Sequence, residues 1–475
     1  MRSLSRTVAA VLAASLIATA GISAAQATPP PDDLLGVMDL FELESAHDPQ
    51  ISPDGTRIVY VRRFADVMTD RRYGNLWMVA FDGANHRPLT TGNFSDHSPR
   101  WSPDGSRMIY ISDRDGSAQI HMLWLDSGQT AKLTRLADGP RGISWSPNGR
   151  WIAFTSRVPA EPRAVATLPA PPEGAEWADP VVIIDRLMYR ADHFGYLKAG
   201  YSHLFVIPAD GGTPRRLSSG PYDHDKQFDD DPPVWTPDGK HILVSAIRKE
   251  DADYQPLDTE IYEFALEDGA VKALTDRRGP DDYPAVSPDG TLIAYLGFDD
   301  AFQGYQVTRL YVMERDGGSA RVLTGGLDRS VEAPAWSPDG RGIYVKFSDN
   351  GNTKLAFVSL DGEVTRLQDD LGSGGSAYDS AAAFTVGSGG RFAFTYTTPY
   401  VPGDIATGTL AAPGKARLVT HVNQDLLDSR KLGVVEEIRY RSSHDDREIH
   451  GWIIKPPRFD PGKKYPLLLE IHGGP

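Results

Sequence analysis

The sequence predicts an all-β, seven-bladed propeller followed by the first strands of a second, α/β domain. Three observations lead there. An apolar or aromatic residue followed by Ser-Pro-Asp-Gly returns at a period of about 50 residues. Each period holds four segments of strand length. After about residue 430 the period stops and a different pattern begins.

The chain opens on a targeting segment. Arg2 and Arg6 form a basic start, Val8 to Ile22 is apolar and small, and Ala25-Gln26-Ala27 fits a signal-peptidase site. Cleavage after Ala27 is therefore expected, with residues 28–44 as a linker that begins in prolines and a periplasmic or secreted bacterial product. The apolar run is shorter than the ~20 residues a membrane span needs. No membrane association is expected once the segment is removed.

The propeller is expected over residues 45–428. Its motif stands at Ile51-Ser-Pro-Asp-Gly55, Trp101-Ser-Pro-Asp-Gly105, Trp145-Ser-Pro-Asn-Gly149, Trp235-Thr-Pro-Asp-Gly239, Val286-Ser-Pro-Asp-Gly290 and Trp336-Ser-Pro-Asp-Gly340. A worn seventh copy is Gly387-Ser-Gly-Gly390. The closing glycines are separated by 50, 44, 90, 51, 50 and 50 residues. Proline presets φ, Asp or Asn bonds its own backbone, and glycine supplies the positive φ that closes a hairpin. The strand after each turn alternates, as in Ile58-Val-Tyr-Val61. A third strand ends in Asp-Gly, as in Leu310-Tyr-Val-Met-Glu-Arg-Asp-Gly317, and a short fourth ends in Thr, as in Arg321-Val-Leu-Thr324. Four strands per period make one blade, and seven periods a propeller. The repeated Trp and Asp residues are expected to hold blades together rather than to bind a ligand.

The 90-residue interval carries an insertion over residues 158–200. A connection this long is usually functional or disordered. It reads equally well as a lid or as an elaborated blade edge.

Residues 429–475 open a new domain. Val434–Arg441 and Glu448–Pro456 read as two strands, and Tyr465–Ile471 as a third. The third runs into His472-Gly473-Gly474-Pro475. An apolar strand breaking into His-Gly-Gly is how an α/β-hydrolase builds half of its oxyanion hole, because the glycines let backbone N–H groups approach a reacting carbonyl. Gly474 is the expected donor, Gly473 stands beside it, and His472 shapes the turn.

Composition narrows the field. Gly (46) and Pro (36) make about 17% of the chain, above the usual ~12%, which fits many turns and short strands. A net charge of −15 argues against nucleic acid or an anionic membrane as partner. Without cysteine there is no disulfide, thiolate metal site or cysteine nucleophile. No cofactor and no metal is expected.

The Ser-Pro-Asp-Gly repeats, Gly451-Trp-Ile-Ile-Lys-Pro456 and Pro466-Leu-Leu-Leu-Glu-Ile-His-Gly-Gly-Pro475 together resemble the prolyl oligopeptidase family of serine peptidases. The resemblance is greatest to its acylaminoacyl-peptidase and bacterial dipeptidyl-aminopeptidase branch. The insertion, from Ile184-Asp-Arg-Leu-Met-Tyr-Arg190 to His203-Leu-Phe-Val-Ile207, resembles that branch too. The resemblance implies peptide substrates, an acyl-enzyme and a Ser-Asp-His triad whose serine lies in Gly-x-Ser-x-Gly. That motif occurs nowhere in the 475 residues. The triad is therefore expected beyond Pro475, and the chain itself is expected to be inactive. The alternative is a non-catalytic, TolB-like propeller that binds peptides or proteins.

Other constellations read as structural. Glu436 and Glu437 are adjacent in a strand, face opposite ways and lie outside the propeller. Asp223, Asp225 and Asp229-Asp230-Asp231 read as a solvated loop. Asp192-His193 and His444-Asp445-Asp446 lack metal-ligand spacing. Asp113-Arg-Asp-Gly116 reads as a hairpin turn.

Overall fold

The computed structural model describes residues 33–470, apart from 161–165, 167–168, 179–180, 193–194, 226–230 and 373–381. The expected signal segment, His193, Asp229, Asp230 and the oxyanion residues His472, Gly473 and Gly474 lie outside the described residues.

The six full Ser-Pro-Asp-Gly copies each turn an innermost strand into the second strand of its blade. Ser52 shows how. Its hydroxyl donates to Asp54 Oδ1 at 2.5 Å and accepts from the Arg57 N–H at 3.0 Å, while its carbonyl accepts from the Gly55 N–H at 2.8 Å. The closing glycines share φ values of +67 to +76°. Hydrogen bonding, first from the serine, holds the Asp54 and Asp104 carboxyls down at about 2. The worn seventh copy makes a short 3-10 turn at Ser388–Gly390 instead.

Seven four-stranded antiparallel sheets result, each using its strands in chain order. From the axis outward, blade 1 is Ser45–Ile51, Arg57–Asp66, Arg71–Ala80 and Arg87–Pro88. Blade 4 is Val234–Trp235, His241–Ala246, Glu260–Ala265 and Val271–Ala273, and blade 7 runs from Phe384 to Leu418. Among the described residues no strand is shared between the first and last blades. The apolar core is divided among the seams, and each of the seven contacts between neighbouring blades holds its own buried cluster. The tryptophans cross these seams. Trp101, Trp145 and Trp336 donate their indole N–H to the carbonyls of Gln50, Arg100 and Ala285 in the preceding blade, at 2.8–3.0 Å.

The ring closes by side chains. Asn423, 4% exposed, accepts from the Glu44 N–H at 2.7 Å and donates to the Glu44 carbonyl at 2.8 Å. Arg391 donates to the Gly55 carbonyl at 2.6 Å, and Thr385 Oγ1 accepts from the Ile51 N–H at 3.1 Å. Before and after the ring, Asp39 takes a two-pronged contact from Arg430 at 2.7 and 2.9 Å.

Beyond the ring, Val434–Arg441 and Glu448–Lys455 pair as a two-stranded ribbon. The expected third strand does not form in its described part. Residues 464–470 pair with no strand, and Leu467, Leu468 and Leu469 stand 81–92% exposed. A strand forms only where its backbone groups find partners, and no described strand lies beside these residues. The described residues thus show the propeller and not a hydrolase sheet. No helix among them is long and apolar enough to cross a membrane.

Candidate functional site: the central channel and the ribbon face

The innermost strands wall a central cavity of about 1140 Å³. Each is the inner edge of its sheet, with one row of backbone groups turned to open space, a condition that invites strand pairing. The sequence blunts that edge in a regular way. Three residues before the aromatic or apolar residue of the motif, Asp48, Ser98, Gly142, Tyr283 and Ala333 adopt φ of +46 to +53°. The pairing slips at that point in blades 1, 2, 5 and 6. In those four blades the next residue is proline: Pro49, Pro99, Pro284 and Pro334. Proline offers no N–H to a passing strand. This x-Pro-x spacing stands in the sequence directly before the aromatic or apolar residue of the motif and is the signal that marks the slip.

The channel's charges are largely matched within the wall. Arg100 pairs with Asp48 at 2.9 Å, and Gln50 donates to the same carboxylate at 2.7 Å. Lys346 lies 3.4 Å from Glu332 and donates to the Ala382 carbonyl at 3.2 Å. Asp225 accepts from Thr155 at 3.1 Å and from Ser202 at 2.5 Å. Burial, its largest influence, raises its carboxyl to about 6.

Ser202, His224 and Asp225 bring the ingredients of a triad together without its geometry. The Ser202 hydroxyl points to Asp225, not to the imidazole. His224 Nδ1 lies 3.1 Å from the Ser202 carbonyl and Arg248 donates to Nε2, which assigns the neutral Nδ1–H tautomer. Burial, the largest influence, lowers His224 to about 3. This is a core histidine, and both of its nitrogens are occupied.

The connections between second and third strands all rise on one face. In blades 6 and 7 they are tight, and the ribbon rests on them. Arg439 donates to Asn350 Oδ1 at 3.2 Å, and the Val435 N–H donates to Tyr400 Oη at 3.0 Å. Gly351, at φ +78°, lies against Trp452, so that a Cβ there would fall 2.5 Å from the indole. In blade 3 the same connection is the long insertion. It leans on blade 4 through the Leu187 N–H, which donates to Asp253 Oδ2 at 2.9 Å, and Arg186 stacks over Tyr201 at 4.9 Å. Val181, Val182, Tyr254, Phe302 and Tyr305 stand 65–83% exposed along blades 3 to 5 of this face.

The remaining sequence candidates fall outside any common site. Glu436 pairs with Lys455 at 2.5 Å, and Glu437 pairs with Arg439 at 2.9 Å and His450 at 3.0 Å on the ribbon. His444, Asp445 and Asp446 form the ribbon's exposed turn. Arg114 of the Asp113–Gly116 turn makes a two-pronged contact with Asp96 at 2.8 and 2.9 Å. Among the described residues no group of three His, Cys, Asp or Glu could hold a metal ion.

Residues 42–167 match the TolB beta propeller domain family. An uncharacterized peptidase of Bacillus subtilis, YuxL, is 28% identical over 93% of this chain and 66% of its own length. Dipeptidyl-peptidase 5 of Porphyromonas gingivalis is 26% identical over 98% of this chain and 67% of its own. Among solved structures, the acylaminoacyl peptidase of Pyrococcus horikoshii superposes with a TM-score of 0.68 at 18% identity, over 90% of this chain and 60% of its own. The β-propeller domain of a Pyrococcus furiosus trilobed protease, described as an open velcro topology, superposes with a TM-score of 0.54 at 14% identity, over 81% of this chain and 98% of its own. The chain thus spans about two thirds of the length of these curated relatives. They bear out the resemblance to peptidases of the prolyl oligopeptidase family.

Proposed function

We propose, from the premise that this chain is a relative of the prolyl oligopeptidase family, that it is the propeller-bearing portion of an exported serine peptidase. The complete enzyme would cleave short peptides through an acyl-enzyme. One observation carries the reading: the similarity to two peptidases covers 93% and 98% of the chain, and at 98% it extends past the propeller into the ribbon. A ring that only bound partners would not need that continuation.

In this reading the channel and the ribbon face orient a peptide and keep folded proteins out. Gly473 and Gly474 supply backbone N–H groups to the carbonyl oxygen as it gains charge, and His472 shapes their turn. The chain has no Gly-x-Ser-x-Gly, so the 475 residues alone are inactive. The signal-like start directs the product to the periplasm or medium. The match of residues 42–167 to the TolB propeller favours a second reading, a non-catalytic binding ring.

Fluorophosphonate labelling of the native protein, followed by intact mass, separates the two. A labelled species much heavier than the 475-residue chain is expected. An unlabelled species near the mass of residues 28–475 would overturn the peptidase reading and leave the binding ring.

A further inference from the structure

Blades repeat one buried polar arrangement, and blade 4 departs from it. In five of the blades the threonine that ends the fourth strand accepts the first N–H of the third strand's core run. Leu76, Ile120, Ile261, Leu310 and Ile405 donate in this way to Thr90, Thr134, Thr275, Thr324 and Thr420 at 2.8–2.9 Å. In blades 2 and 7 the same hydroxyl then donates to the residue just before that run. In blade 2 this is neutral Gln119, whose Oε1 accepts from Thr134 at 2.8 Å and from the Leu136 N–H at 2.9 Å. In blade 7 it is Asp404, whose Oδ1 accepts from Thr420 at 2.6 Å and from the Val422 N–H at 3.0 Å.

In blade 4 the position is Glu260, only 3% exposed, and a second carboxyl meets it there. Asp281, 1% exposed, opens the innermost strand of blade 5, its N–H donates to the Thr259 carbonyl at 2.9 Å next to Glu260, and the Thr275 hydroxyl is the one that stands by both groups. A hydroxyl has one proton to give. Glu260 Oε2 and Asp281 Oδ2 are buried with no hydrogen-bond partner. Two ionised carboxylates left so in a low-dielectric seam repel each other, and neither is solvated.

The surrounding charges do not remove the difficulty. From blade 4, Lys249 is engaged by Asp258 and stands 3.7 Å from Glu260 Oε1, and Tyr262 lies alongside. From blade 5 and its approach, Arg277 contacts Asp281, donates to the Pro280 carbonyl at 3.2 Å, lies 3.4 Å from Asp299 and covers the Tyr311 ring at 4.2 Å. Asp282 and Tyr295 complete the set. Five carboxyls thus face two cations.

We propose that the Glu260–Asp281 pair keeps one proton, and that losing it loosens the seam between blades 4 and 5, a proton-operated latch beside the channel wall. Protonation turns one orphaned oxygen into a donor and removes one of the two like charges. Burial, the leading cause, raises Glu260 to about 7 and Asp281 to about 6, so the proton leaves near neutral pH. The latch lies on the face that carries the ribbon, and Thr259, Pro280 and Asp282 beside it line the channel. The proposal does not depend on the peptidase reading.

The test is hydrogen exchange of the full chain from pH 5 to 8.5, corrected for intrinsic rates, with Glu260→Gln in parallel. The folded pair holds a proton that the opened seam releases. The opening constant over Glu260–Ala265 and Asp281–Val286 should therefore rise by up to tenfold per pH unit between the ordinary carboxylate range and about pH 7. Glu260→Gln should lose that rise. Equal pH dependence in both proteins would overturn the proposal. If Glu260→Gln does not fold, infrared difference spectra of the wild type decide. A protonated-carboxyl band lost between pH 6 and 8.5 supports the latch, and no such band refutes it.

Discussion

Among the described residues the ring shares no strand between its ends, so its closure should be unusually sensitive to Asn423. Asn423→Ala removes two hydrogen bonds at 2.7 and 2.8 Å and strips the partners from the Glu44 N–H and C=O. A net hydrogen bond is worth about 1 kcal/mol, and a partly buried backbone group left unpaired adds to the loss. The sum is about 2–3 kcal/mol. Unfolding entropy is ~2.1 cal/mol/K per residue, so a ring of about 370 residues loses ~0.8 kcal/mol per degree. The melting temperature should then fall by about 3–4 °C in differential scanning calorimetry. Exchange should also quicken at the ring ends, Ser45–Ile51 and Phe384–Gly387. Asn75→Ala is the control. It removes bonds to the Gly74 and Gly92 carbonyls near 3 Å within blade 1, so it should lower stability without loosening blade 7. If Asn423→Ala leaves both the melting point and exchange at the ring ends unchanged, closure does not run through this clasp.

Arg114→Met should be costlier, because it leaves Asp96, whose side chain is 0% exposed, without its two-pronged partner. A loss of about 3–5 kcal/mol is expected, and a melting shift under 2 °C would refute it. Ending the chain after Gly433 keeps the Arg430–Asp39 contact and removes the ribbon and the exposed Leu467–Leu469 run. Light scattering should show less aggregation, and equal or greater aggregation would count against an exposed apolar tail as its cause. Acid should destabilise the ring through histidines kept neutral chiefly by burial: His47 and His203 at about 4, and His224 at about 3. These folded-state values lie below the ordinary ~6.5, so their contribution is full above that pH and is lost as pH falls toward 4. Glu260 and Asp281, raised instead, act in the opposite sense. His224→Asn should flatten melting temperature against pH between 6.5 and 4, and an unchanged slope would refute the assignment.

Much of the fold was legible because a blade is a local object. Ser52, Pro53, Asp54 and Gly55 lie within four residues, and their turn forms from contacts among themselves. The period of the motif then counts the blades. Ring closure was not legible, since Asn423 and Glu44 stand 379 positions apart and neither belongs to a repeat. The x-Pro-x spacing was available but carries meaning only once the innermost strand is known to be an unpaired edge. The expected strand at Tyr465–Ile471 shows the reverse limit: an apolar run records propensity, and pairing depends on a neighbour.

By itself, the sequence determined the turn chemistry, the four strands of each blade, their number and the place where the pattern ends, because each depends on residues close together in the chain. The tertiary structure decided how the ring shuts, that Ser202, His224 and Asp225 meet in a structural and not a catalytic arrangement, and that Glu260 and Asp281 are buried in one seam. Those outcomes depend on which blades become neighbours. Burial energies and orphaned donors or acceptors arise only where distant segments exclude water together.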